Sequence, residues 1–159
     1  MSDSVLKLIP ADPYFVPDAK AQSIAVDALE KLVRGERCEV EDYGHVTYID
    51  QGENLESIHC PACGADLPLH DSPEADTNTE WYYTEIDDRA SADFKGVSAE
   101  MPCCKQMVPL TTVKFDWPGG FARFELSIWN PEISNLSPQQ LAEFESILGC
   151  KLLQVRAHY

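Results

Sequence analysis

The residues best equipped for chemistry are cysteines: the chain has six, and four of them fall in two short clusters. The first cluster is Ile58-His59-Cys60-Pro61-Ala62-Cys63-Gly64, and the second is Met101-Pro102-Cys103-Cys104-Lys105. Two thiols three positions apart, in a turn shaped by proline and glycine, can point at one ion. Zinc takes four such ligands tetrahedrally, so a single CxxC needs a second pair from elsewhere in the chain. The expected set is therefore Cys60, Cys63, Cys103 and Cys104, holding a structural zinc. The second cluster is irregular. Met101 stands where a regular knuckle has its first cysteine, and Lys105 stands where it has glycine. Adjacent side chains do not naturally converge. Either the backbone bends after Pro102 so that both cysteines bind, or Cys104 binds and His59 or His70 completes the set.

Other chemistries fit less well. A redox CxxC opens a helix within a βαβ unit, whereas Gly64 and Pro68 break any helix here. A catalytic zinc needs an open fourth position and a nearby acid or base, and an all-thiolate set supplies neither. An iron–sulfur cluster uses the same ligand type and stays open as an alternative. The chain has no serine nucleophile elbow and no glycine-rich phosphate loop, and its carboxylates show no spacing that selects an acid–base pair. The sequence therefore predicts a protein without enzymatic activity. Cys38 and Cys150 read as small core residues in or beside strands.

Charge narrows the partners. Asp and Glu number 27 against 12 Lys and Arg, a formal net charge of −15 over 159 residues. Four thiolates around one dication would add about two more negative charges. Such a field repels nucleic acid and anionic membrane surfaces and speeds encounter with basic proteins. No apolar run approaches the roughly 18 residues of a membrane span. The opening Met1-Ser2-Asp3-Ser4 lacks the basic and apolar regions of a signal peptide,. A cytoplasmic location is expected.

The elements around these clusters follow from periodicity. Val5 to Ile9 reads as a strand. Asp18 opens a helix whose apolar stripe is Ala21, Ile24, Ala25, Ala28, Leu29, Leu32 and Val33, with Gly35 as its stop,. Residues 37–42 and 46–50 read as two strands about a turn at Tyr43-Gly44-His45, and 55–59 as a strand feeding the first knuckle. Residues 66–79 read as an acidic loop, 80–94 as a helix, 97–101 as a short strand and 108–115 as a β-rich run. In 121–129, Ala122, Phe124, Leu126 and Ile128 alternate as a buried face,. Ser137-Pro138-Gln139-Gln140 is a capping box,. It opens a helix with Leu141, Phe144, Ile147 and Leu148 inward and Gly149 as its stop, before a last strand over 150–158. The two ends thus read strand–helix–strand around a middle segment. The fold expected is α+β: one domain over 1–159, a ferredoxin-like split βαβ sheet with a zinc ribbon-like insert at about 58–107. Within the insert, Asp71, Glu74, Asp76, Glu85, Asp87 and Asp88 concentrate negative charge with Arg89 as the basic exception. They are the expected partner-binding surface.

Several blocks occur together: Tyr14-Phe15-Val16-Pro17-Asp18, Cys60-Pro61-Ala62-Cys63-Gly64, Pro102-Cys103-Cys104, Trp117-Pro118-Gly119-Gly120-Phe121 and the ending Ala157-His158-Tyr159. In this combination the chain resembles a family of small uncharacterised bacterial proteins with CPxCG…PCC zinc-knuckle motifs. The family usually has glycine after the paired cysteines, and Lys105 departs from that. The resemblance implies genes found beside polymorphic toxins, whose immunity proteins are often small and acidic. The function expected is an immunity protein that neutralises a secreted antibacterial toxin, a basic cognate partner, by direct binding. The alternative is a zinc-ribbon adaptor or regulatory protein acting on another assembly.

Overall fold

A computed structural model describes residues 2–159. Its principal sheet has four strands: β1 (Ser4–Pro10), β2 (Arg37–Ile49), β8 (Gly120–Trp129) and β9 (Leu152–His158). Their order is β2-β8-β1-β9, and every neighbouring pair is antiparallel. Helix α1 (Ala19–Leu32) joins β1 to β2, and helix α3 (Pro138–Leu148) joins β8 to β9. Both pack on one face of the sheet, against Leu6, Leu8, Phe124, Leu126 and Ile128. The fold is mixed α+β.

Local chemistry explains the helix ends. The Asp18 carboxylate accepts a hydrogen bond from the Ala21 N–H at 2.8 Å and starts α1,. The Ser137 hydroxyl takes the Gln140 N–H, and the Gln140 side chain returns to the Ser137 N–H, completing the capping box of α3,. Gly149 closes α3 at φ 77°, a left-handed conformation that costs glycine little,. Gly35 has a different part from the one expected. Helix α1 ends at Leu32 with Val33 already extended. A Cβ on Gly35 would meet the Ile128 side chain at 2.6 Å and the Trp129 carbonyl at 2.7 Å, so glycine there permits close approach to β8. The expected α1 stripe is also narrower than its periodicity suggests. Ala25, Leu29 and Val33 are buried, whereas Ile24 and Leu32 lie on its exposed edge.

The expected turn at Tyr43-Gly44-His45 is not a hairpin. β2 is one strand, and both of its halves pair with β8, with a bulge between Asp42 and Thr47 that Gly44 accommodates at φ 77°. A single glycine in a strand marks a bulge as readily as a turn. The lower half of β2 is then covered by the chain around 90–94, where the Phe94 N–H donates to the Val46 carbonyl.

The other face of the sheet carries a buried cation. Lys7 Nζ lies 3.2 Å from Asp50 Oδ1, 2.8 Å from the Tyr159 hydroxyl and 3.9 Å from Glu125 Oε1. Burial by itself depresses an ammonium, but Glu125, Asp50 and Tyr159 outweigh it and hold Lys7 above its ordinary range. Glu125 fares less well. Burial pushes its carboxyl up, and neither the distant ammonium nor the Tyr43 hydroxyl, which donates at 3.1 Å, fully compensates.

The chain between β2 and β8 builds a second core from short pieces. Strands β3 (Ser57–His59), β4 (Asp66–Pro68) and β7 (Lys114–Phe115) form one small sheet, and β5 (Ser98–Glu100) pairs with β6 (Met107–Pro109). Helix α2 (Ala75–Glu85) and a 3-10 turn (Asp87–Arg89) cover them. Ile58, Ile86, Phe94, Met101 and Leu110 are the centre of this core, which also takes in Tyr48 and Phe121 of the main sheet.

Three expectations fail within this region. The helix starts at Ala75 and ends at Glu85, not at 80 and 94, and 66–79 is not all loop. The polar residues Asn78 and Thr79 point inward. Their side chains donate to the carbonyls of Pro68 and Leu69 at 2.9 and 3.0 Å, so polarity there reports satisfied burial and not a surface loop,. The 108–115 run is broken by a 3-10 turn at Leu110–Thr112, where Pro109 ends β6.

Phe124 is fully buried under both helices. Phe124→Ala is expected to cost about 3–5 kcal/mol in urea unfolding. A change under about 1 kcal/mol would contradict its place in this core.

Candidate metal centre

Each cysteine pair lies in a hairpin turn. The first turn joins β3 to β4, and the Cys60 N–H donates to the Ala65 carbonyl at 3.0 Å while the Gly64 N–H donates to the Cys60 carbonyl at 2.9 Å. The second turn joins β5 to β6. There the Met101 N–H donates to the Gln106 carbonyl at 2.9 Å and the Lys105 N–H to the Met101 carbonyl at 3.0 Å. The two turns have the same hydrogen-bond pattern, residue for residue. Gly64 closes the first at φ 77°, and Lys105 occupies the same left-handed position in the second at φ 63°.

This equivalence explains the irregular second cluster. Met101 is the counterpart of Cys60, and both side chains are buried in the second core. Cys104 is the counterpart of Cys63. Cys103 takes the place of Ala62, so the cysteine missing from the first position of this turn reappears at its third. The turn is tight enough for the adjacent thiols to reach one centre. Cys60 Sγ lies 3.8 Å from Cys104 Sγ, Cys63 Sγ lies 3.6 Å from Cys103 Sγ, and all four sulfurs fall within 4.8 Å of one another. Sulfurs about 2.3 Å from a tetrahedral ion stand ~3.8 Å apart. The four cysteines can hold one metal ion.

His59 and His70 are outside this set. The His59 ring lies 3.4 Å from an Asp66 carboxylate oxygen on the neighbouring strand, and His70 faces a separate cleft. Cys38 and Cys150 are half-buried beside the helix-covered core, and burial, first, then the nearby Glu30 and Glu39, push the Cys38 thiol up to about 11.

Two of the thiols are shifted in opposite directions. Burial opposes ionisation of Cys60, but the backbone N–H groups of Cys63 and Ala62 outweigh it and bring that thiol down to about 7. The Cys63 N–H donates to Cys60 Sγ at 3.5 Å. Cys103 moves the opposite way, up to about 12, through desolvation of its sulfur and then the surrounding thiols. One thiolate forms readily and suppresses the next. A divalent ion at the centre reverses that order, because coordinating thiols are deprotonated outright.

The acidic residues of the middle segment do not share one helical face. Asp71 is in a turn at φ 56°, Glu74 and Asp76 are at the start of α2, and Glu85 at its end is 2.9 Å from the Arg89 guanidinium. Asp88 is exposed on the 3-10 turn, and Asp87 is half-buried towards the cleft that His70 also faces. Sequence reasoning missed that cleft and the Lys7 cluster beside it. A lone lysine in an apolar strand and a tyrosine in a helix carry no periodic signal of a shared cavity.

Comparison with protein-family models, with curated proteins and with solved structures returned no match. Among the described residues, no helix is long and apolar enough to cross a membrane.

The shared turn geometry has a direct consequence. Serine at any of positions 60, 63, 103 or 104 is expected to abolish retention of one metal ion per chain, and Cys38→Ser to leave it intact, as read by elemental analysis after gel filtration. Retention by Cys103→Ser would return the fourth ligand to another residue. Lys105 should rank Gly above Lys above Val in thermal stability. The left-handed conformation costs a non-glycine residue about 1 kcal/mol and a β-branched one more. A Val variant as stable as the parent would contradict the φ of this turn.

Proposed function

We propose that this chain is a non-enzymatic, acidic protein-binding protein on a zinc-stabilised scaffold, acting as an immunity protein that neutralises a secreted antibacterial toxin by direct contact. The strand order with both helices on one face supports a ferredoxin-like split βαβ sheet,. The two facing hairpin turns support a zinc ribbon-like insert between its second and third strands. Four thiolates at tetrahedral spacing favour zinc, and they fill its coordination shell. Such an ion orders the insert and leaves no position for a substrate.

The observation that carries the reading is uncompensated charge. The net charge is −15. Asp71, Glu74, Asp76 and Asp88 are exposed, and none takes part in an ion pair among the described residues. Like charges this close do nothing for the fold that bears them. They do steer a basic partner into contact, and a row of carboxylates can stand in for the phosphates that a basic nuclease cleft expects. Glu85 is a weaker candidate for contact, because Arg89 already neutralises it.

Purified protein is expected to contain about one zinc per chain. Co-expression with the toxin domain encoded beside it should protect the host. Replacing Asp71, Glu74, Asp76 and Asp88 by Lys should slow association and abolish protection with zinc content unchanged. The association rate of the unmodified protein should fall steeply with salt. No protection by the unmodified protein removes the immunity reading, and full protection by the charge-reversed protein removes the acidic surface from it.

A further inference from the structure

A cleft of about 680 Å³ opens where the second core meets the chain just past β2 and the C-terminal Tyr159. Its walls are Leu55, Leu69, Tyr82, Tyr83 and Tyr159. Tyr83 and Tyr159 leave 49% and 41% of their surfaces exposed, more than large apolar side chains on a packed core show. Three carboxylates also line the cleft: Asp50, Glu53 and Asp87. Lys7 balances one of them, since Asp50 Oδ1 accepts from Lys7 Nζ at 3.2 Å and from the Tyr159 hydroxyl at 3.0 Å. Glu53 and Asp87 have no basic partner among the described residues. Burial, then the charges of Asp50 and Asp88, push the Asp87 carboxyl up, so negative charge there is crowded and uncompensated.

Aromatic faces beside unbalanced carboxylates select one kind of occupant. A ring face attracts a cation, and more strongly where water is displaced. The carboxylates take the charged head, and the leucines and ring faces take an alkyl stem. An anion would meet three like charges. A bare metal ion is less suited, because the groups able to ligate one together are, among the described residues, the four cysteines elsewhere.

We propose that this cleft receives an arginine or lysine side chain of the protein partner, its cationic head held by Glu53 and Asp87 and its stem laid across Tyr83 and Tyr159. The proposal rests on the reading of the chain as the binder of a basic protein. It names the place where that partner anchors, whereas the outer acidic residues only steer it.

The test needs no toxin. A fluorescein-labelled hexa-arginine peptide is titrated with the zinc-loaded protein at 150 mM salt, with hexa-citrulline as the uncharged probe, and anisotropy is read. Hexa-arginine should bind at least about tenfold more tightly than hexa-citrulline. The pair Glu53→Gln and Asp87→Asn should weaken hexa-arginine about tenfold, and Tyr83→Ala, at an exposed position, about fivefold. A control removes three charges from the helix-covered side: Asp27→Asn, Glu30→Gln and Glu143→Gln together should change binding less than about twofold. Zinc content and circular dichroism confirm that each variant is folded. Equal losses in the control and the cleft pair would overturn the proposal in favour of a diffuse field, and so would unchanged binding in both cleft variants. Cleft-dependent peptide binding without protection in co-expression sinks the immunity reading alone. Protection without cleft-dependent peptide binding sinks the cleft alone.

Discussion

Four sulfurs that can share one metal ion face each other across two turns, where the strands themselves are short. The strands of the second core are two or three residues long, and isolated hairpins of that size have marginal stability in water. Their register is fixed at the turns. A metal ion closing the β3–β4 turn onto the β5–β6 turn would convert two marginal hairpins into one body, because the free energy of binding a metal at a site absent from the unfolded chain is also free energy of folding. Cys60 and Met101 carry that constraint inward. They are equivalent residues in equivalent turns, both buried, one ending on a ligand sulfur and the other on an apolar thioether.

The exchange at the first and third turn positions has an electrostatic side. In the first turn the ligand at the first position is buried and receives backbone N–H groups. In the second turn both ligands lie further along, and Cys103 is exposed. The cysteine set is therefore asymmetric, with Cys60 anchored in the core and Cys63 and Cys103 towards solvent.

Much of the fold was legible in the sequence, and the failures share a cause. The capping box, the N-cap Asp18, the αL stop at Gly149 and the alternation of Phe124, Leu126 and Ile128 are local signals, and the structure has each of them. The clustering of the four cysteines was legible because metal sites fix ligand type and spacing,. The readings that failed needed tertiary information. Gly44 as a bulge, Gly35 as a close-approach residue, and Asn78 and Thr79 as core donors all depend on what lies across from them. Lys7 is the clearest case. In the sequence it is one basic residue in an apolar strand, and its burial makes sense only when Asp50, Glu125 and Tyr159 arrive from three distant segments.

The second core meets the main sheet through Tyr48. Its ring packs at 5.5–6.1 Å centroid separation against Phe121, Phe115 and Tyr82, a range in which aromatic pairs attract beyond their buried area. Its hydroxyl donates to Gln51 Oε1 at 2.7 Å and stands 3.0 Å from the Tyr82 hydroxyl. Gln51 is fully buried, and its amide donates to the Trp117 carbonyl at 2.8 Å. Tyr48, Tyr82 and Gln51 leave no buried side-chain oxygen or nitrogen without a partner, as a buried network requires if it is not to weaken the core that contains it. The consequence is geometric. Tyr82 lies on α2 in the half with the cysteine cluster, Tyr48 lies near the end of β2, and Gln51 lies just past it. The angle between the halves is thus set by short directional bonds and not by apolar contact alone. The walls of the seam inherit that rigidity. A cavity between two bodies free to slide would have no defined spacing between Asp50 and Asp87, whereas one keyed by Tyr48 does.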